Sequence, residues 1–253
     1  MIGIQSHKMA RRYFLFLLLL LTGCAGTNWH APAEFTPKTI HAGNFEIATL
    51  QKITSPSEPI HIYIEGDGHA FDGRGAPTRD PTPRGTFLRE LVASDTSANV
   101  VYMARPCQYI MSPACDVSDW TDGRFSPQVI ESVADAIKQT AAARPIILIG
   151  YSGGALLSGL IIEKYLDINV KKWITIAGVL NHSDWTEYFG DSPLIHSINL
   201  DTLPRVHQLH YAAENDKTVP NSLTMQWTGG ANTIIVPNAT HDDFENLILD
   251  FTY

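Results

Sequence analysis

Apolar positions along this chain fall in short runs, separated by longer stretches of mixed character. The runs at 60–66 (IHIYIEG), 99–104 (NVVYMA), 146–150 (IILIG), 173–178 (WITIAG), 207–213 (HQLHYAA) and 233–237 (TIIVP) are rich in β-branched residues and read as strands. FEIATLQK at 45–52 alternates apolar and polar residues and reads as an exposed first strand. Between the runs the pattern predicts helices over 86–93, 127–142, 154–166 and 243–251. In the second of these, Val129, Ile130, Val133 and Ile137 recur at helical spacing. Pro127 stands at its start, where a missing N–H costs nothing. Near-continuous apolar strands alternating with helices predict an α/β fold, a mostly parallel sheet with helices on both faces. Neither an internal repeat nor a second domain is visible.

The N-terminus departs from this alternation. Lys8, Arg11 and Arg12 precede the apolar stretch YFLFLLLLL, which is too short for an ordinary membrane-spanning helix. Small residues then lead to Cys24, so residues 1–23 read as a secretory signal. The sequence LTGC resembles the bacterial lipobox. That resemblance implies cleavage before Cys24, lipidation of its thiol and a mature chain held on a membrane by acyl chains, facing the periplasm. Alanine rather than aspartate at 25 resembles outer-membrane sorting. Residues 24–44, with Pro, Thr and Gly and no clear period, read as a tether ahead of a domain at 45–253.

The net charge of −8 argues against nucleic acid as a partner, and loss of the three leader cations makes the mature chain more acidic still. The acyl anchor, rather than charge, is the expected membrane contact. With Cys24 acylated, Cys107 and Cys115 remain; they are close in sequence and the periplasm permits a disulfide between them. Two cysteines without a histidine pair at ligand spacing do not build a zinc site, and no metal or cofactor is expected.

The stretch IILIGYSGGALLSGLI carries the candidate chemistry. A Gly-x-Ser-x-Gly turn from strand to helix is a nucleophile elbow: it lifts the Ser152 hydroxyl above the sheet and places it at a helix N-terminus, beside the N–H of Gly153. A serine needs a base to take its proton and an acid to orient that base. Asp216, in the turn after HQLHYAA, and His241, in the loop after TIIVP, stand in the required order at adjacent strand ends. Glu214 is the rival acid, and His69 a candidate binding residue. Asp242 and Asp243 read as caps of the last predicted helix, and His182-Ser183-Asp184 as a turn. A second oxyanion donor is expected from the GDGHAF loop, the N–H of Asp67.

Together these stretches make the chain similar to the α/β-hydrolase superfamily over residues 60–245, and to a group of bacterial α/β-hydrolase-like lipoproteins. EGDG, ARPCQY, WTDGRFS, GYSGG, the region from AGVLNHSDWT to DSPLIHSINL, and ENDKTVP carry the likeness. The resemblance implies a Ser152–Asp216–His241 triad, oxyanion donors at Gly153 and Asp67, and hydrolysis of an ester or thioester. Peptidase or amidase activity, or a non-catalytic envelope binding role, are the alternatives. No large lid is expected. Where a lipase-type loop reads His-Gly-Gly, this chain reads Glu65-Gly66-Asp67-Gly68. A carboxylate there opposes an oxyanion unless it is paired, and Arg105 is the candidate partner. The insert at 105–126, with its cysteine pair, Tyr109, Met111 and Trp120, is placed to roof a pocket.

Overall fold

In the computed structural model, residues 32–253 are described. The predicted leader and Cys24 lie outside them. The described residues form one eight-stranded sheet in the order β1-β2-β4-β3-β5-β6-β7-β8. Its strands are β1 (Thr36–Ala42), β2 (Phe45–Ile53), β3 (Ile60–Ile64), β4 (Asn99–Met103), β5 (Ile146–Tyr151), β6 (Val170–Ile176), β7 (His207–Ala213) and β8 (Thr233–Val236). β1 and β2, and β2 and β4, pair antiparallel. From β4 to β8 every pairing is parallel.

The helices are α1 (Phe87–Ser94), α2 (Pro127–Ala141), α3 (Gly153–Lys164), α4 (His182–Phe189) and α5 (Asn221–Thr228). The chain moves one way across the sheet from β3 to β4 and the other way from β4 to β5. Right-handed crossovers therefore put α1 on one face and α2 and α3 on the other. α2 starts as its sequence predicts: Ser126 caps it, accepting from the Val129 N–H, and Pro127 follows. α3 is apolar on every side and almost wholly buried, because α2 and the 179–200 segment cover the face that would otherwise be wet. β3 and β4 are buried at every position. At about 1.5–3 kcal/mol for each Ile or Val removed from water, these central strands supply much of the driving force for folding.

Three expectations are corrected. Residues 36–42, expected within the tether, form the edge strand β1, because each position from Thr36 to Ala42 finds a register partner in β2. β2, expected to be an exposed first strand, is therefore flanked on both sides and mostly buried. The helix expected at 243–251, with Asp242 and Asp243 as its caps, does not form. Asn246 takes a left-handed φ of 60°, which breaks a helix in its first turn. Phe244 and Leu249, the buried anchors of this tail, are five apart rather than three or four. The tail instead crosses the sheet as irregular chain, with Phe244 stacked on Phe87 and Phe251 against His61.

Candidate active site

Parallel strands deliver their C-terminal ends to one edge of the sheet, and in this architecture the crevice outside those ends is where a site is built. Ser152 lies there, between the last residue of β5 and the first of α3. Its backbone is strained, with φ 51° and ψ −123°. The surroundings hold it so. Its N–H donates to the Ile176 carbonyl at 3.0 Å, and its own carbonyl accepts from Ala155 at 3.0 Å and Val179 at 3.1 Å. A Cβ at Gly150 would collide with the Gly154 carbonyl, so helix and strand could not approach as closely as this turn requires.

Asp216 follows β7, and its carboxylate is fully buried. Oδ1 accepts from the N–H groups of Thr218 and Val219, both at 2.8 Å. That leaves Oδ2 for His241 Nδ1, 2.8 Å away. A carboxylate only accepts, so Nδ1 carries the proton and Nε2 presents a lone pair. Nε2 lies 3.0 Å from Ser152 Oγ. Tyr151 supports the imidazole: the ring centroids are 5.3 Å apart, and the Tyr151 hydroxyl donates to the His241 carbonyl at 3.3 Å. Burial pushes the Tyr151 phenol well above its ordinary pKa, so it stays a neutral donor. Glu214, the rival acid, is exposed and accepts from the Asn238 N–H instead. The structure thus brings Ser152, His241 and Asp216 into one hydrogen-bonded chain and leaves Glu214 outside it.

The opposite side of Ser152 is formed by the loop after β3. Its carboxylate problem is resolved by pairing. Asp67 is spanned by two guanidinium groups: Arg105 Nη1 on Oδ1, and Arg124 Nη1 on Oδ2 at 2.5 Å. Burial alone would raise the Asp67 carboxyl, but Arg124 and Arg105 outweigh it and hold its pKa below the usual carboxylate value. The sequence pointed to Arg105 and missed Arg124, although WTDGRFS contains it. Arg105 Nη2 donates to the Arg124 carbonyl, tying the pair together. Gln108 Nε2 donates to the Gly66 carbonyl at 2.9 Å, and its Oε1 accepts from the Arg105 N–H at 2.9 Å. The paired carboxylate packs directly over Gly153, where any Cβ would strike Asp67 Oδ1. Glycine after the serine is thus a packing requirement of this loop. Among the described residues, the N–H groups of Asp67 and Gly153 have no acceptor.

Glu65, one position inside the loop, is buried and accepts from Tyr102 Oη at 2.7 Å and from the Gly66 N–H at 2.9 Å. Burial raises its pKa, against the pull of those two donors.

A cavity of about 350 Å³ opens beside Ser152 and His241. Phe71, Phe125, Val179 and Leu194 give it an apolar lining, and Arg124 and His182 add polar groups. The insert at 105–126 reaches it only at its end, through Arg124 and Phe125. Cys107 and Cys115 are disulfide-bonded, as their spacing predicts, but Met111 is exposed and Tyr109 and Trp120 lie outside the lining. The rest of the insert braces the Asp67 loop, through Arg105 and Gln108. His69 also lies outside the lining, whereas His182, read from sequence as part of a turn, begins α4 and lines the cavity. Among the described residues, no group of three His, Cys, Asp or Glu side chains is placed to hold a metal.

Comparison with protein-family models finds no match. Comparison with curated proteins finds none either. Among solved structures, the chain is similar to an α/β serine hydrolase without a lid from Xanthomonas campestris, at 14% identity and TM-score 0.54, over 84% of this chain and 88% of that one. It is similar to an α/β serine hydrolase homologue from Coxiella burnetii, at 13% identity and TM-score 0.53, over 82% and 89%. It is also similar to Est1E from Butyrivibrio proteoclasticus, at 13% identity and TM-score 0.55, over 83% and 91%. Sheet order, elbow and these likenesses agree: the chain has the α/β-hydrolase fold.

Proposed function

We propose that the protein is a serine hydrolase that cleaves a carboxylic ester or thioester through an acyl-enzyme, anchored to the bacterial envelope by a lipid on Cys24. The observation that carries the catalytic reading is the unbroken chain from Asp216 Oδ2 through His241 to Ser152 Oγ, with links of 2.8 and 3.0 Å. The α/β serine hydrolases among the solved structures that share the fold support the reaction class.

In this mechanism His241 Nε2 takes the Ser152 proton as Oγ adds to the substrate carbonyl. Asp216 holds the imidazole in the accepting tautomer and stabilises the imidazolium. The new oxyanion is met by the N–H groups of Gly153 and Asp67, the former at the positive end of α3. His241 then gives its proton to the departing alcohol or thiol, leaving the acyl group on Ser152. Water enters, His241 takes one of its protons, and the carboxylic acid is released as Ser152 recovers its hydrogen.

A fluorophosphonate probe tests the nucleophile. The parent should be labelled at Ser152, and Ser152→Ala should fold normally yet take no label. Full labelling of that variant, or none of the parent, would overturn the reading. Membrane fractionation tests the anchor: Cys24→Ser should abolish acylation and release the protein, and unaltered membrane association would contradict it.

A further inference from the structure

Two polar groups in the cavity wall are left over once the catalytic geometry is accounted for. The first belongs to Arg124. Its side chain is 5% exposed and fixed on three sides: Nε donates to the Thr121 carbonyl at 2.5 Å, Nη1 is paired with Asp67, and the guanidinium lies over the Phe71 ring at 5.4 Å. Nη2 has no acceptor among the described residues, and Arg124 lines the cavity. The second is His182. It is 5% exposed and lines the same cavity; neither ring nitrogen is within full hydrogen-bond geometry of a partner among the described residues, the Ser197 backbone being the one polar neighbour. Its ring lies parallel to Phe125, the residue after Arg124, with centroids 5.9 Å apart. Burial holds its pKa below the ordinary histidine value, with Arg124 adding to that effect and the Ser197 backbone opposing it.

Leaving the buried His182 ring unpaired costs free energy, and a ligand group that pairs with it and with Arg124 Nη2 would recover it. The sign of that group follows from the charges around it. Of the acids lining the cavity, Glu65 is satisfied by Tyr102 and the Gly66 N–H, and Asp67 is spanned by two arginines. Asp242 is exposed beside His241. Two guanidinium groups on Asp67 make the Arg124 face of the wall locally cationic, while the Glu65 carboxylate, bonded to Tyr102 and the Gly66 N–H, lies behind it. Arg84, exposed and without a partner among the described residues, adds another cation to the lining. The wall is also near the chemistry, since Asp67 pairs with Arg124 and packs against Gly153.

We propose that this part of the cavity is a carboxylate subsite: the ester cleaved at Ser152 carries a second, free carboxylate, received by Arg124 Nη2 and a His182 N–H, with Arg84 drawing it in. The substrate is thus a half-ester of a dicarboxylic acid rather than a plain aliphatic ester. This rests on the hydrolase reading above, and the test separates the two.

The probes are mono(4-nitrophenyl) adipate and its methyl ester, which match in length and leaving group and differ in one negative charge. For the parent enzyme, kcat/KM should favour the free acid by about tenfold or more, the scale of a charge-assisted hydrogen bond in a partly buried site. Arg124→Met and His182→Phe should each pull the ratio toward one, and Arg84→Gln should lower it in part. A parental ratio at or below one, with the methyl ester hydrolysed and Ser152 labelled by fluorophosphonate, would overturn the subsite alone. So would a tenfold preference that survives in both Arg124→Met and His182→Phe. A binding measurement decides the subsite without turnover. Free adipate should raise the parental melting temperature more than neutral adipamide, and the difference should vanish in His182→Phe. Equal shifts from the two compounds would overturn the proposal even if the enzyme proves active, and absence of labelling with an adipate-specific shift would overturn only the hydrolase reading.

Discussion

On the side of Ser152 that faces His241, the geometry hangs on a few bonds, of which those holding Asp216 in its turn are local and the Tyr151 bond to His241 spans 90 positions. Asp216 is fixed by the N–H groups of Thr218 and Val219, two and three residues further on, and the imidazole by Asp216 and Tyr151. The other side is held by more bonds, two of them between full charges. Arg105 and Arg124 reach Asp67 across 38 and 57 positions, Gln108 reaches Gly66 across 42, and the Cys107–Cys115 bridge ties the insert that carries Arg105 and Gln108. The contrast fits the separate tasks proposed for the two sides. A base that swaps hydrogen bonds during turnover needs one firm anchor and some freedom. An oxyanion donor must already be aimed before the charge appears, so its loop is locked by charged bonds that do not change.

The comparison can be broken most sharply at its single anchor. In Asp216→Asn, Oδ1 can still receive the Thr218 and Val219 N–H groups, but the amide can donate where Oδ2 accepted. The imidazole then favours the wrong tautomer and its cation loses a counter-charge. Ester turnover should fall by roughly 10⁴, about 5 kcal/mol, while thermal unfolding changes little. Parental turnover in this variant would show that the base is oriented elsewhere.

The locked wall should fail in both activity and stability. Asp67→Asn leaves two buried guanidinium groups facing a neutral amide, an expected loss of about 3–5 kcal/mol in denaturant unfolding. A misaimed donor should also lower kcat by roughly 10²–10³. If the Asp67→Asn variant proves as stable and active as its parent, the arginine pair is not what aims the loop.

Acid sensitivity needs a control away from both walls, and His210 supplies it. It is buried on β7, 2.8 Å from Thr175 Oγ1, and burial lowers its pKa from 6.5 to about 4. Between those values the unfolded chain binds a proton that the native protein does not. Its stability contribution is therefore complete above pH 6.5 and declines as the pH falls to 4, by about 3 kcal/mol in all. His210→Gln should flatten that limb of a stability profile without moving the alkaline side. An unchanged acid limb would assign the loss to other groups.

Removing the bridge is expected to be milder. Cys107→Ser with Cys115→Ser should cost about 2–3 kcal/mol of stability by the chain-entropy argument, with the arginine clamp intact. Calorimetry of the two forms measures this directly. The smallest effect belongs to Glu214→Gln: an exposed acceptor for the Asn238 N–H should be worth less than about 1 kcal/mol and little in turnover. A crippled Glu214→Gln beside a healthy Asp216→Asn would reverse the assignment of the acid.

The elements with short-range signals were legible. Strands β2 to β8 were read from alternation or apolar runs, α2 from Pro127 and its helical spacing, and the Ser152 turn from its glycines, because each signal sits within a few residues of what it describes. Asp216 and His241 were legible as candidates because their strands precede them directly. The tail after His241 was misread because apolar content alone does not distinguish a helix from a strap that anchors at Phe244 and Leu249. α5 was not anticipated, since NSLTMQWT carries a weak apolar pattern and little of it is buried.

The sequence by itself determined the alternating α/β architecture, the position of the serine at a strand-to-helix junction and the order of its candidate partners. All follow from local propensity and from the period of burial along single elements. Only the tertiary structure decided that Asp67 is paired twice, that Arg124 and His182 meet in one cavity, that the insert braces a loop and reaches the pocket only through Arg124 and Phe125, and that residues 36–42 join the sheet. These are contacts between residues tens of positions apart, or pairings at a sheet edge. Their free energy depends on what the folded chain brings alongside, and that information is absent from any short window of sequence.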